Sequence, residues 1–280
     1  MTHNKQTEKH DTMKKIFTAI FASIIALSSV AQINEVGDRD KNLIKAALMG
    51  WNIRLGAGYN LGGTAPLPMP VEIRGIEGFN PGLNLAIEGT VEKMFGKSDW
   101  GLRWGVRLET KGMTTNADTK NYYMEVQNGP STPGADGNSE DNTISGYWTG
   151  KVETKVKNTY LSLPVLAVYK INERWDVLAG AYASYLLDGE FTGKACDGYL
   201  REGDPTGAKT ELESADYDFS SELCKFNWGL QAGFEFRAYN HLALFANLQW
   251  SLKGIFPTDF TSVTYALYPI YGTLGFTYLF

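Results

Sequence analysis

Nine ionisable residues recur on the polar side of alternating segments: Arg54, Glu88, Glu92, Arg103, Arg107, Glu109, Lys111, Glu235 and Arg237. Carboxylates set among guanidinium and ammonium groups support three kinds of chemistry. They can serve as general acids and bases, form a path for protons or ions, or neutralise one another in a confined interior. Glu88 and Glu92 are the natural pair for catalysis, but the chain offers them little help. It has three histidines. His3 and His10 precede an apolar leader segment, and His241 falls in a short turn. Hydrolases built on Ser-His or Asp-His need a base beside the reacting atom, and no nucleophile motif accompanies these histidines. The expectation is a non-enzyme with no cofactor, no metal site and an interior of mutually paired charges.

The elements that carry these residues are strands. In KFNWGLQAGFEFRA, Phe226, Trp228, Leu230, Ala232, Phe234 and Phe236 share one face, and Lys225, Asn227, Gln231, Glu235 and Arg237 share the other. WGLRWGVRLETK, LALFANLQWSLKG, WNIRLGAGYN, LNLAIEGTVEK and YGTLGFTYLF repeat this period of two. YLSLPVLAVYK and WDVLAGAYASYLL alternate less cleanly, and Pro164 in the former predicts a bulge or break because proline cannot donate to a ladder. About eight such segments, each about ten residues or longer, match the length a tilted strand needs to cross a bilayer.

Tight turns (GKSD, INER, YNH) alternate with long polar connections over 61–81, 114–153, 189–222 and 256–266. Outer-membrane barrels show this asymmetry, with short periplasmic turns and long external loops. The expected fold is an all-β, eight-stranded antiparallel up-and-down transmembrane barrel. Its apolar faces would meet lipid, with Trp51, Tyr59, Trp100, Tyr169, Trp175, Tyr185, Tyr268 and Tyr278 as interfacial girdles. A soluble lipocalin-like barrel with those faces turned inward around a ligand is the alternative. In an eight-stranded barrel the lumen is just wide enough to be filled by side chains, so the nine charges predict a salt-bridged plug; a narrow channel is the runner-up. The final strand would close the ring on the first, and Phe276, Tyr278 and Phe280 resemble a C-terminal signal read by outer-membrane insertion machinery.

MKKIFTAIFASIIALSSVAQ reads as a secretory signal peptide, with Lys14 and Lys15 before an apolar core and Ser29-Val30-Ala31 as a cleavage site. The domain plan is a leader over 1–31 with Met13 as the true start, a periplasmic segment over 32–49, and the barrel over 50–280. Asp38 to Met49 is the one helical candidate. Export makes a disulfide between the two cysteines, Cys196 and Cys224, an expectation worth about 3–4 kcal/mol on the chain-entropy model; two separate thiols are the alternative. ADGNSEDN only loosely resembles a calcium loop. A net charge of -5 without a basic stripe argues against a nucleic-acid role. Tyr122, Tyr123, Tyr147 and Trp148 either anchor a partner or extend the barrel wall.

GFNPGLNLAIEG, YLSLPVLAVYK, WDVLAGAYASYLL and YGTLGFTYLF together resemble the PorT-like outer-membrane β-barrel family of Gram-negative envelopes. That resemblance covers essentially all of the chain after the leader. It implies a single small, monomeric barrel in contact with outer-membrane lipid and lipopolysaccharide. A few members of the family serve a secretion machine, so an accessory role with an envelope protein partner is a further expectation. The distinctive APLPMPVEIRGIEGF stretch has no function attached to it.

Overall fold

The computed structural model describes residues 50–127, 143–260, 262–263 and 265–280. The expected signal peptide, the candidate helix over 38–49 and ADGNSEDN lie outside the described residues. The chain divides into two units, Met1–Asn52 and Ile53–Phe280, and Trp51 falls in the first. The second is a β-sheet protein with strands β1 (Asn52–Pro66), β2 (Ile73–Asn80), β3 (Leu85–Met94), β4 (Trp100–Gln127) and β5 (Thr143–Lys170). They are followed by β6 (Trp175–Arg201), β7 (Lys209–Asp218), β8 (Phe226–Tyr239), β9 (Leu242–Ser251) and β10 (Leu267–Leu279).

Eight strands form a ring in the order β1-β3-β4-β5-β6-β8-β9-β10, closed by an antiparallel β10–β1 ladder from Arg54↔Leu279 to Pro66↔Leu267. Closure leaves the ring without an edge, as hydrocarbon requires. Alternation then decides which side chains meet lipid. Leu230, Leu248, Leu274 and Phe276 point outward and are 51, 55, 56 and 53% exposed. Glu92, Ser162 and Gln249 point inward and are fully buried. A soluble lipocalin-like barrel requires the reverse, so that alternative is excluded. At the short-turn end Trp100 packs on Tyr169, Trp175 on Phe236, and Tyr278 between His241 and Phe280. Tyr185 is exposed and pairs with Phe226 toward the other end, where Tyr268 is half-buried beside Ala65. The Tyr59 hydroxyl donates to the Gly82 carbonyl.

Pro164 interrupts one ladder without shifting it. Pairing of β4 with β5 lapses between Trp104↔Val165 and Arg107↔Ser162 and resumes in the same register, while the β5–β6 ladder runs through Pro164↔Tyr182.

The long connections are not the polar loops expected from the sequence. β4, β5 and β6 are 28, 28 and 27 residues long, more than twice what about ten residues of tilted strand need to cross. Their outer halves stay paired, from Thr114↔Lys155 to Gln127↔Thr143. β2 adds to the outer half of β4, and β7 to that of β6. The outward face of β5 marks where lipid ends: Lys151, Glu153, Lys155 and Lys157 are exposed, and Leu161, Leu163, Val165 and Tyr169 follow them. Inside, the outer halves enclose an apolar core that includes Met113, Met124, Trp148, Val156, Phe191 and Tyr217. Polarity is inside-out within the membrane and conventional above it, because the solvent touching the outer face changes. Trp148 is a fully buried member of that core and Tyr122 packs against it, so these aromatics extend the wall.

The folded barrel should migrate differently on a gel before and after boiling in detergent; a single mobility would refute the closed ring. Val165→Arg should destabilise by about 2–4 kcal/mol if placed near the bilayer midplane. Lys155→Ala, which loses only the exposed 2.7 Å contact with Glu190, should cost about 0–1 kcal/mol. Chemical unfolding followed by that gel shift measures both.

Candidate functional site

The lumen is built around one hairpin. β3 and β4 place Glu92 directly opposite Arg103 and Glu88 directly opposite Arg107, and facing side chains on one side of an antiparallel pair meet. Arg103 donates to Glu92 at 2.5 Å and to Glu235 at 2.9 Å. Arg54 bridges the same two carboxylates, at 3.2 Å from Glu92 and in an ion pair with Glu235. One layer further, Arg107 lies 2.7 Å from Glu88 and 3.9 Å from Glu109, and Lys111 lies 3.2 Å from Glu109. Four cations thus interleave with four carboxylates, all of them buried.

Neutral side chains complete the packing. The Arg107 guanidinium also donates to Gln231 Oε1 at 3.0 Å, and Lys111 Nζ to Gln249 Oε1 at 2.8 Å. Ser162 and Gln249 both donate to the Glu109 carboxylate. Lys111 lies over the rings of Tyr160, Tyr182 and Tyr271 at 5.0–5.9 Å, a favourable place for a desolvated ammonium. Thr273 donates to Asn60 Oδ1 at 2.7 Å.

Eight of the nine charges singled out from the sequence therefore meet in the lumen. Arg237 is not among these ion pairs; it is half-buried at the short-turn end, where its backbone N–H donates to the Arg174 carbonyl. His241 is at that same end, with Nδ1 2.8 Å from the Leu279 carbonyl. Gln231, already placed on the polar face of its strand, is buried inside together with Gln249, Ser162, Ser184 and Asp176. Their place on the polar parity of each strand is the signal that marks them, although they carry no motif of their own.

The expected disulfide is absent: Cys196 and Cys224 are free thiols. The Leu186 N–H bonds the carbonyl of Lys225, the neighbour of Cys224, and Cys196 sits ten residues farther along β6. At about 3.3 Å per residue that is roughly 30 Å of strand, whereas a bridge needs Cα atoms within about 7 Å. Among the described residues, no cluster of His, Cys, Asp or Glu side chains gathers to hold a metal ion. Phe276, Tyr278 and Phe280 all point outward on or just after β10.

A second polar feature lies toward the outer end. Tyr265 donates its hydroxyl to Glu72 Oε2 at 2.5 Å, tying the β1–β2 connection to the segment before β10. This hydrogen bond holds the Glu72 carboxyl below the usual range. Burial, then Glu72 itself, push Tyr265 up to about 12.

The model of an outer membrane protein β-barrel domain matches residues 31–257. The chain belongs to this family. It is an outer-membrane β-barrel protein, and it is similar to several solved structures at low identity. Neisserial surface protein A is 10% identical, with 82% of this chain and 97% of that one covered, at a TM-score of 0.32. Ail, the attachment invasion locus protein of Yersinia pestis, is 15% identical over 82% and 97%, at 0.31. A major outer membrane protein of Thermus thermophilus is 14% identical over 82% and 99%, at 0.35. No curated protein matches the chain.

Arg103→Met should destabilise by about 3–5 kcal/mol, because it leaves buried carboxylates short of a partner. Arg103→Met combined with Glu92→Met should recover much of that loss; equal stability of wild type and single variant in chemical unfolding would show that the network is not holding the barrel. The Glu72–Tyr265 bond has its own pH signature. A folded pKa depressed below the unfolded one gives stability that is full above the unfolded value and lost as pH falls through the folded value. Hydrogen exchange at the Lys120 amide, which donates to the Glu72 carbonyl, should accelerate over that acidic window in wild type and not in Tyr265→Phe.

Proposed function

We propose that this protein is a non-enzymatic outer-membrane barrel, closed by its ion-paired lumen, that presents its β-sheet extension to an extracellular or envelope partner. The observation that carries this reading is the extension itself. Strands of 27 and 28 residues rise above the bilayer with an apolar core inside and charged side chains outside, which makes a rigid platform in place of flexible loops. Rigid elements hold a recognition surface with less ordering cost than loops do. The lumen supports the same reading, since paired charges fill the space that a channel would need for water.

The chain enters the envelope through a cleaved signal over 13–31. The outward Phe276, Tyr278 and Phe280 are read by the insertion machinery. The PorT-like resemblance supports an alternative in which the barrel is an accessory component of a secretion machine.

Purified protein in a planar bilayer should give no steady unitary conductance; reproducible steps would replace this reading with the narrow channel. A variant that joins β4 to β5 by a short turn in place of 116–153, and that still shows the heat-dependent gel shift, should reproduce the envelope phenotype of a deletion strain. A fully wild-type phenotype from that variant would overturn the platform.

A further inference from the structure

Above Lys111 the inner face of the barrel changes from charged to apolar, and a cavity of about 330 Å³ opens inside the extension. Its floor and back include Met113, Met124, Val152, Phe191 and Tyr217. Its front is made by the outer end of β1 and by Ile73, Ile76 and Phe79 of β2. No Asp, Glu, Lys or Arg is among the described residues that line it. A space of this size is unusual in close-packed interiors and falls within the range of small-molecule sites, which are mostly apolar with a few polar groups.

β2 is shaped to serve the cavity. Its sequence IRGIEGF has a period of three, which an ordinary strand would scatter over both faces. Two register shifts against β4, at Ile73/Gly75 and Ile76/Gly78, correct for this. Each absorbs an extra residue, as a β-bulge does, so Ile73, Ile76 and Phe79 stand opposite Thr119, Ala117 and Thr115. Those three β4 residues are on the inner face and line the cavity. Arg74 and Glu77 are exposed, and Glu77 pairs with Lys151 at 3.2 Å on the outside.

The wall is also interrupted here. β1 bonds toward β3 at Asn60, whose N–H donates to the Asn84 carbonyl. Beyond that point, among the described residues, Leu61–Pro66 pair only with β10, and β2 pairs only with β4. Two strand edges therefore flank a seam. Ile76 and Phe79 face inward at this seam and are nevertheless 55% and 54% exposed, so the cavity reaches the surface between β1 and β2. Met69 of the APLPMP stretch lines the same mouth and is half exposed.

We propose that this cavity is a binding site for a neutral hydrocarbon group, admitted through the β1–β2 seam. An apolar cavity of about 150 Å³ holds benzene, so the one here accommodates a chain or fused ring of roughly ten to fourteen carbon atoms. With no charged side chain in its lining, the site selects against ions. A charged head attached to such a chain stays at the mouth.

Methionine methyl groups report on this directly. Met69, Met113 and Met124 line the cavity, whereas Met94 ends β3 beside the short-turn end and serves as the internal control. Protein labelled at the methionine methyl carbons, in nanodiscs of saturated phosphatidylcholine, would be titrated with naphthalene. The expected result is a saturable shift of the Met113 and Met124 signals with Met94 unmoved. Ala117→Phe, which fills the space, should lose that shift while keeping the heat-dependent gel shift. A second sample, with nitroxide near the end of the lipid acyl chain and no naphthalene, distinguishes the sources of the ligand. Selective broadening of Met113 and Met124 relative to Met94 means that the group enters from the bilayer. Naphthalene binding without such broadening means that it enters from water. Shifts that are non-saturable or equal at Met94, together with no selective broadening, would overturn the proposal.

Discussion

A backbone amide in hydrocarbon has no water to bond, and this single constraint organises the molecule. It forces the strands crossing the bilayer into a closed ladder, and closure in turn fixes which parity of every strand faces lipid. Leu, Val, Phe and Trp take that side, and whatever is polar must share the interior. Eight strands leave little room inside, so Arg54, Arg103, Arg107 and Lys111 are obliged to meet Glu88, Glu92, Glu109 and Glu235. The ion pairs are thus a consequence of the lipid outside as much as a feature of the lumen.

Where the constraint ends, the design changes. Above Lys157 the outer face of β5 is wet, and the same strands can now bury apolar residues inward. Edges become tolerable as well. The seam between β1 and β2 lies in the region where water can satisfy free amides, and the β10–β1 ladder that seals the membrane-spanning part runs without a break from Arg54 to Pro66. The bulges of β2, its inward isoleucines and the proline-rich stretch before it all belong to this second regime.

The ring and its polarity were legible in the sequence because alternation in segments such as 226–237 is a direct image of the lipid face. The partners of the charges were legible too: with a turn centred near Lys97, Glu92 must face Arg103, and Glu88 must face Arg107. What escaped was everything above the membrane. Residues 114–124 and 145–157 are rich in Thr, Asn, Lys and Glu, which reads as loop unless the buried Met113, Val152 and Val156 are recognised as an inner row. β2 escaped for another reason, since bulges convert its period of three into a common face. The cysteines mislead for a related reason: a polar stretch that reads as a compact loop is an extended hairpin that carries Cys196 far from Cys224.

The Glu–Arg hairpin also bears on how the barrel assembles faithfully. Sliding β3 by one residue against β4 would turn its side chains to the opposite face. Glu88 and Glu92 would then be presented to lipid, and Arg103 and Arg107 would be left inside without them. An alternation of leucines and valines alone is indifferent to slips of two residues, whereas such a slip would set each glutamate opposite a glycine or a glutamate of β4 in place of its arginine. A one-residue error in register therefore costs two buried ion pairs at once.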